Sequence, residues 1–286
     1  MKLKDIYIRD PYILAYGNTY YMYGKAKLED LSFCVYKSKD LDEWSEPQKV
    51  FTPDTNFWAD RDFWASEVHL YKDKFYMFAS FKSEDKCRGT QILVSEKPDG
   101  NFVPLTSEPV TPRDWECLDG TLYIDKKGHP HIVFCHEWLQ VGDGMVCEME
   151  LSDDLKCAIT KPRVLWKASQ HPKVVDLSKD CLSKITDGPF FYRLQSGKLV
   201  CIWSSFIKNG GNGYVELVSE SDNGDIDGNW SINEKPLFSD KGGHGMVFET
   251  FDGKKMFVLH SPNVAPDERA VMFELLENEN EIMLKD

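Results

Sequence analysis

The chain has 286 residues, and its 34 lysines and arginines against 47 aspartates and glutamates leave a formal charge of −13. That length is ample for a sizeable core, and a hydrophobic content of 42% argues against a disordered chain. No apolar run approaches the ~18 residues a membrane-spanning helix needs, and the acidic balance works against electrostatic binding to nucleic acid or anionic lipid.

Short β-prone runs then follow one another along the chain. The first group opens at Asp10-Pro11 and continues through Tyr20-Tyr21-Met22-Tyr23, residues 33–36 and Lys49-Val50-Phe51. A second opens at Glu67-Val68-His69 and runs through Phe75-Tyr76-Met77-Phe78 and residues 91–94. The third opens at Asp119-Gly120 and passes His131-Ile132-Val133-Phe134 and residues 146–148. The fourth opens at Asp187-Gly188-Pro189 and continues through residues 199–203, 214–217 and Pro236-Leu237-Phe238. The last opens at His244-Gly245 and runs through Met256-Phe257-Val258-Leu259 and residues 271–273, with residues 3–8 or 282–284 left to complete it. Turn residues such as Gly17-Asn18, Lys127-Gly128 and Asp252-Gly253 separate the first and second run of each group, which makes hairpins. Ser-plus-acid corners follow the third runs, as in Ser38-Lys39-Asp40 and Ser152-Asp153-Asp154.

A repeat of about 50 residues with four strands in each unit describes propeller blades. Five units predict an all-β, five-bladed β-propeller with four antiparallel strands per blade, filling residues 1–286 as a single domain. A β-sandwich also has short, regular strands, but it does not require this period. None of the eight cysteines forms a CxxC pair and several sit inside apolar runs, so free buried thiols are expected rather than a zinc or redox site. The opening residues show no basic stretch followed by an apolar one, so a cytoplasmic location is expected.

The first strand of a blade lines the propeller axis, and four of the five units open it with an acid: Asp10, Glu67, Asp119 and Asp187. Each acid alone reads as a turn residue. As a set they converge on one face, and like charges in a partly dry pocket shift one another's pKa, as acid–base chemistry requires.

The ordered set Arg9-Asp10-Pro11-Tyr12-Ile13, Trp64-Ala65-Ser66-Glu67-Val68, Asp119-Gly120-Thr121-Leu122, Asp187-Gly188-Pro189-Phe190 and Gly243-His244-Gly245 resembles glycoside hydrolase family 43. The resemblance implies a five-bladed propeller and an inverting glycosidase. It implies that Asp10 is the general base and that Asp119 tunes and orients the proton donor. It puts the donor at Asp187, where the family carries a Glu before Gly-Pro; Asp is one methylene shorter. Glu137 and Glu67 are the alternative donors, and Phe190 and Phe191 are expected to raise the pKa of Asp187. Trp64, Trp138 and Trp203 are candidate sugar platforms, and Glu67, His136 and Glu137 are candidate substrate contacts. His244 is the candidate metal contact, beside a structural calcium at the axis that the family often carries; no cofactor is expected in bond breaking. The expected partner is an oligosaccharide, with no nucleic acid or membrane involved. The expected activity is exo-acting removal of α-L-arabinofuranosyl or β-D-xylosyl residues from plant-type oligosaccharides. Galactofuranosidase or galactosidase action and a non-catalytic carbohydrate-binding propeller are the alternatives.

Overall fold

The expected hairpins close where the turn residues sit. Asn18, Lys72 and Asp73 adopt positive φ in the tight turns, as do Gly17, Gly128, Gly197 and Gly253. The computed structural model describes residues 1–208 and 212–285. Among them, five separate four-stranded antiparallel sheets follow one another in chain order, giving the five blades. Blade 1 holds β1 (Tyr12–Tyr16), β2 (Thr19–Gly24), β3 (Phe33–Ser38) and β4 (Gln48–Phe51). Blade 2 holds β5 (Arg61–Tyr71), β6 (Lys74–Lys82), β7 (Gly89–Ser95) and β8 (Val103–Pro104). Blade 3 holds β9 (Cys117–Ile124), β10 (Pro130–His136), β11 (Met145–Glu150) and β12 (Arg163–Lys167). Blade 4 holds β13 (Asp187–Arg193), β14 (Leu199–Lys208), β15 (Asn212–Ser221) and β16 (Trp230–Ile232). Blade 5 holds β17 (Gly243–Glu249), β18 (Lys255–Ser261), β19 (Arg269–Glu277) and β20 (Ile282–Leu284).

One detail differs from the sequence reading, and one alternative it left open is decided. The fourth strand of blade 4 is Trp230–Ile232, while Pro236-Leu237-Phe238 makes only an isolated bridge from Phe238 to Glu216. Ile282–Leu284 completes blade 5, and Leu3–Asp5 is a single 3₁₀ turn. The blades are held face to face by aromatic and aliphatic side chains. Phe33, Phe51, Phe57, Phe63 and Phe81 interlock between blades 1 and 2, with Phe63 and Phe81 edge to face at 4.8 Å. Trp166 packs on Trp203 and Trp230 between blades 3 and 4. Five of the eight cysteines are buried and all are unbridged, as expected. The Ser-plus-acid corners are hydrogen-bonded turns: Ser38 Oγ accepts from the amides of Asp40 and Leu41, and Asp40 Oδ1 accepts from those of Asp42 and Glu43.

The innermost strands share a bulge. Pairing jumps from Trp64↔Ser80 to Glu67↔Phe78 in blade 2, from Leu118↔Cys135 to Thr121↔Val133 in blade 3, from Asp187↔Ser204 to Phe190↔Ile202 in blade 4, and from Gly243↔His260 to Met246↔Val258 in blade 5. The first residue skipped is left-handed each time: Ala65 at φ 47°, Asp119 at 54°, Gly188 at 49° and His244 at 55°. Asp10, just before β1, matches them at φ 52°. Asp and His tolerate this conformation better than most residues, and glycine adopts it freely. The true register is therefore Asp10, Ala65, Asp119, Gly188 and His244. Asp187 stands one residue before it and Glu67 two residues after it, which corrects the expected alignment of anchors.

Ala65 is the one bulge residue whose type disfavours its backbone, at a cost of about 1–2 kcal/mol. Ala65→Gly is expected to raise the unfolding free energy by about 0.5–1 kcal/mol, read as a higher urea midpoint with an unchanged m-value.

Candidate active site

The bulged ends of the inner strands open on a cleft of about 440 Å³ on the propeller axis. Asp10, Asp119, Asp187, His244, Trp64 and Trp138 all line it. The bulge matters because it turns a side chain out of the alternating pleat toward the strand's end. It also leaves backbone amides that need partners. The Asp119 amide donates to Ser80 Oγ at 2.9 Å, the His244 amide to Ser204 Oγ at 2.7 Å and the Asp10 amide to His260 Nδ1 at 3.3 Å. In each case the acceptor lies on the second strand of the preceding blade, so the bulges also tie neighbouring blades together.

His244 stands among the acids, with Nδ1 3.2 Å from Asp10 Oδ1 and 3.9 Å from Asp119 Oδ2. Burial opposes its charge, but Asp10, Asp119, Asp187 and Glu67 outweigh burial and push the imidazole up to about 9. For Asp10, burial pushes the carboxyl up, yet the His244 charge, the neighbouring His260 ring and the Arg9 guanidinium overcome it. Asp10 is held well below the usual carboxylate range. Arg9 lines the same cleft and is anchored on the buried Glu268 at 3.1 Å. Asp119 is raised to about 6, first by burial and then by the Asp10 charge, against the pull of His244. Its Oδ2 accepts from the Gly188 amide at 3.0 Å, which ties it to the backbone beside Asp187. Asp187 is raised well above the carboxylate range by burial and by the charge of Asp119. Tyr214 donates to its Oδ2 at 2.9 Å. The cleft thus sets its carboxyls apart: Asp10 is held down, Asp119 is raised to about 6 and Asp187 is pushed well up, with a cationic His244 beside them.

The remaining expected residues divide. Trp64 is 37% exposed and Trp138 half-buried, so both offer surface to the cleft. Trp203 is fully buried against Trp166 and donates Nε1 to Ser219 Oγ, so it has no face for a sugar. Glu67 is buried and faces His69 at 3.1 Å outside the cleft, which leaves it an electrostatic neighbour of Asp119 and His244. His136 stacks on Trp115 at 4.0 Å and faces Gln140 Oε1 at 2.7 Å. Glu137 is buried against Arg88 at 3.5 Å, paired with a cation and outside the cleft, unlike a proton donor. Phe190 and Phe191 do not line the cleft either; Phe206 and Tyr214 are its aromatic wall beside Asp187.

Sequence reasoning missed Tyr214, Ser80, Ser204 and His260, because second- and third-strand residues inside apolar runs carry no motif. It also missed Arg88. The Arg88 guanidinium lies 3.9 Å from the centroid of the Trp64 ring, bonded to Asp62 at 3.0 Å, and so supports the Trp64 indole.

The axial calcium expected beside His244 needs six to eight oxygen ligands if the protein is to cage it. Here the Nδ1 of His244 faces two carboxylates as a cation, and among the described residues no group of three or more His, Cys, Asp or Glu is arranged to hold a metal ion. These residues do not fit a protein-built calcium cage.

The family model described as Glycosyl hydrolases family 43 matches residues 5–277. An endo-arabinase from Bacteroides thetaiotaomicron VPI-5482 superposes with a TM-score of 0.92 at 39% identity, covering 98% of each chain. An endo-1,4-beta-xylanase from the same organism superposes at 0.79 with 23% identity, covering 100% of this chain and 95% of that one, and shows the fold alone. The extracellular endo-alpha-(1->5)-L-arabinanase 1 of Bacillus subtilis (strain 168) is 24% identical over 145 residues, 46% of this chain and 44% of that protein. The match thus spans less than half the length of that curated relative.

Arg88→Met is expected to destabilise the protein by about 3 kcal/mol, because Glu137 would stay buried without its cation. Lys82→Met, whose ion pair with Glu116 is more exposed, is expected to cost under about 1 kcal/mol. Denaturant unfolding of both variants measures the difference.

Proposed function

The chain belongs to glycosyl hydrolase family 43, and on that premise we propose that it hydrolyses α-L-arabinofuranosyl linkages of arabinan-type glycans with inversion. The observation that carries the reading is a pair of carboxyls of one cleft in opposite surroundings: Asp10 lies beside the His244 imidazole and the Arg9 guanidinium, which hold it down, and Asp187 is buried beside Asp119, which pushes it up. Inverting hydrolysis needs that pair: a carboxylate to take a proton from water and a carboxylic acid to protonate the leaving oxygen. Asp10 is the base. Its charge survives burial because His244 and Arg9 are beside it. Asp187 is the acid, and Asp119 holds its pKa up by charge repulsion. Trp64 and Trp138 supply apolar faces for the sugar rings. The likeness to the endo-arabinase supports arabinan as the glycan and internal cleavage as the mode. Exo action, the expectation from the sequence, predicts free arabinose as the first product.

The test is a panel of linear arabinan, xylan and aryl glycosides of arabinofuranose, xylopyranose and galactofuranose. Arabinan is expected to be cleaved first, and the length of its earliest products distinguishes internal from terminal attack. Asp10→Asn is expected to lower kcat by about 10²–10⁴-fold on every substrate. Asp187→Asn is expected to do so only on poor leaving groups. Glycan binding with no turnover of any panel member would replace this reading with a binding module.

The pH profile of kcat/KM is expected to be a bell. Activity should rise through about 6 as Asp119 ionises, and fall on the alkaline side as Asp187 loses its proton. Asp10, held low, does not set the acidic limb.

A further inference from the structure

Tyr214 comes from the third strand of blade 4, yet its hydroxyl reaches Asp187 at the start of the first. On the intervening β14, Ser204 pairs with Asp187 and Phe206 with Tyr214, so the phenol reaches diagonally across that strand to the carboxyl. The ring lies beside Gly243 of blade 5: a Cβ added there would fall 2.2 Å from Tyr214 Cε1 and 2.6 Å from Cδ1. His260 stacks on the ring at 5.9 Å and 23°, and Phe206 flanks it at 5.1 Å. The ring is therefore held by residues of two blades. Its hydroxyl has one hydrogen-bond partner among the described residues, Asp187 Oδ2, while Asp187 Oδ1 has none.

We propose that Tyr214 is a positioning residue for the acid of this site: by donating to Oδ2 it fixes the carboxyl proton of Asp187 on Oδ1. The inference rests on the reading of Asp187 as proton donor. A carboxylic acid can carry its proton on either oxygen, and only one of the two is productive for a given sugar pose. The phenol settles the choice because it has a single proton and a single acceptor: Oδ2 receives, so Oδ1 must donate. During turnover the Oδ1–H bond breaks as the proton passes to the leaving glycosidic oxygen. The Asp187 carboxylate that remains keeps the phenol's hydrogen bond, which favours the charged product of that transfer. Asp119, His244 and Arg9 also act on Asp187, while Asp10, Arg9 and Glu216 act on Tyr214, so the phenol is one of several influences on the acid.

The experiment compares wild type with Tyr214→Phe and with 3-fluorotyrosine installed at Tyr214, a stronger donor of the same shape. On aryl arabinofuranosides with poor leaving groups, Tyr214→Phe is expected to lower kcat by about tenfold, the scale of one hydrogen bond to a charged group, with KM little changed. The loss should shrink toward nothing as the leaving group improves. The alkaline limb should move up in Tyr214→Phe, which lacks the bond that favours the carboxylate, and down with fluorotyrosine. An equal loss on all leaving groups, or an alkaline limb unmoved in both variants, would overturn the proposal and leave Tyr214 as packing. A readout free of turnover is the infrared C=O stretch of the protonated Asp187 carboxyl, isolated by difference from Asp187→Asn. That band should shift in Tyr214→Phe, and an unshifted band overturns the proposal. An inert wild type with a shifted band would instead fault the hydrolase reading while upholding the phenol's hold on the carboxyl.

Discussion

One buried cation governs the axis of this propeller. His244 stands 3.2 Å from an Asp10 oxygen and 3.9 Å from an Asp119 oxygen, with the side chains of all three nearly out of water. Without that charge, Arg9 would be the one formal cation lining the cleft with Asp10, Asp119 and Asp187 among the described residues besides Lys25. With it, Asp10 is held low and the rise that burial imposes on Asp119 stops at about 6, while Asp187, buried beside Asp119, is pushed well up. Linkage gives each group its sign. The His244 pKa is raised, so its contribution to stability is complete below 6.5 and lost as pH rises through about 9. The Asp10 pKa is lowered, so its contribution is present above 3.8 and lost only in strong acid. Asp187 is raised, so it opposes folding once pH passes its unfolded value of 3.8. A buried ion cluster is a poor investment in stability alone, which fits an arrangement kept for its chemistry.

The same bulges that present these side chains also join the blades. A left-handed residue at the mouth of each inner strand frees an amide, and Ser80, Ser204 and His260 on preceding blades accept three of them. The separation of acid from base is thereby set by how the blades close into a ring. Gly188 shows how tight that ring is: a Cβ there would fall 2.7 Å from the His244 imidazole.

Beyond the axis, polar residues that looked catalytic serve the wall between blades 2 and 3. Glu137 holds Arg88, and Arg88 underlies the Trp64 indole. His136 stacks on Trp115 and faces Gln140, whose oxygen also accepts from the Glu116 amide. Glu137 is buried on a guanidinium and outside the cleft, whereas Asp187 lines the cleft with no cation bonded to it among the described residues.

The five hairpins were legible because β-prone runs, turn residues and a repeat near 50 residues are local properties, and local chemistry selects strands and turns. Asp10, Asp119 and His244 were legible because they recur at one register and are residue types that accept a left-handed backbone. Their neighbours were not. Glu67 and Asp187 looked aligned with them, and only the skipped pairs in β5 and β13 reveal offsets of two and one residues. Trp203 and Trp64 read alike as tryptophans in strands, yet one is fully buried and the other 37% exposed. Tyr214 carried no signal at all, since its position in an apolar third strand is what any core tyrosine would show. The sequence by itself determined the blades, their order and the acids at the axis, because periodicity and turn chemistry act between near neighbours. Which acid keeps its proton was decided only by the tertiary structure. A pKa depends on burial and on charges a few ångströms away, and here those charges come from four different blades.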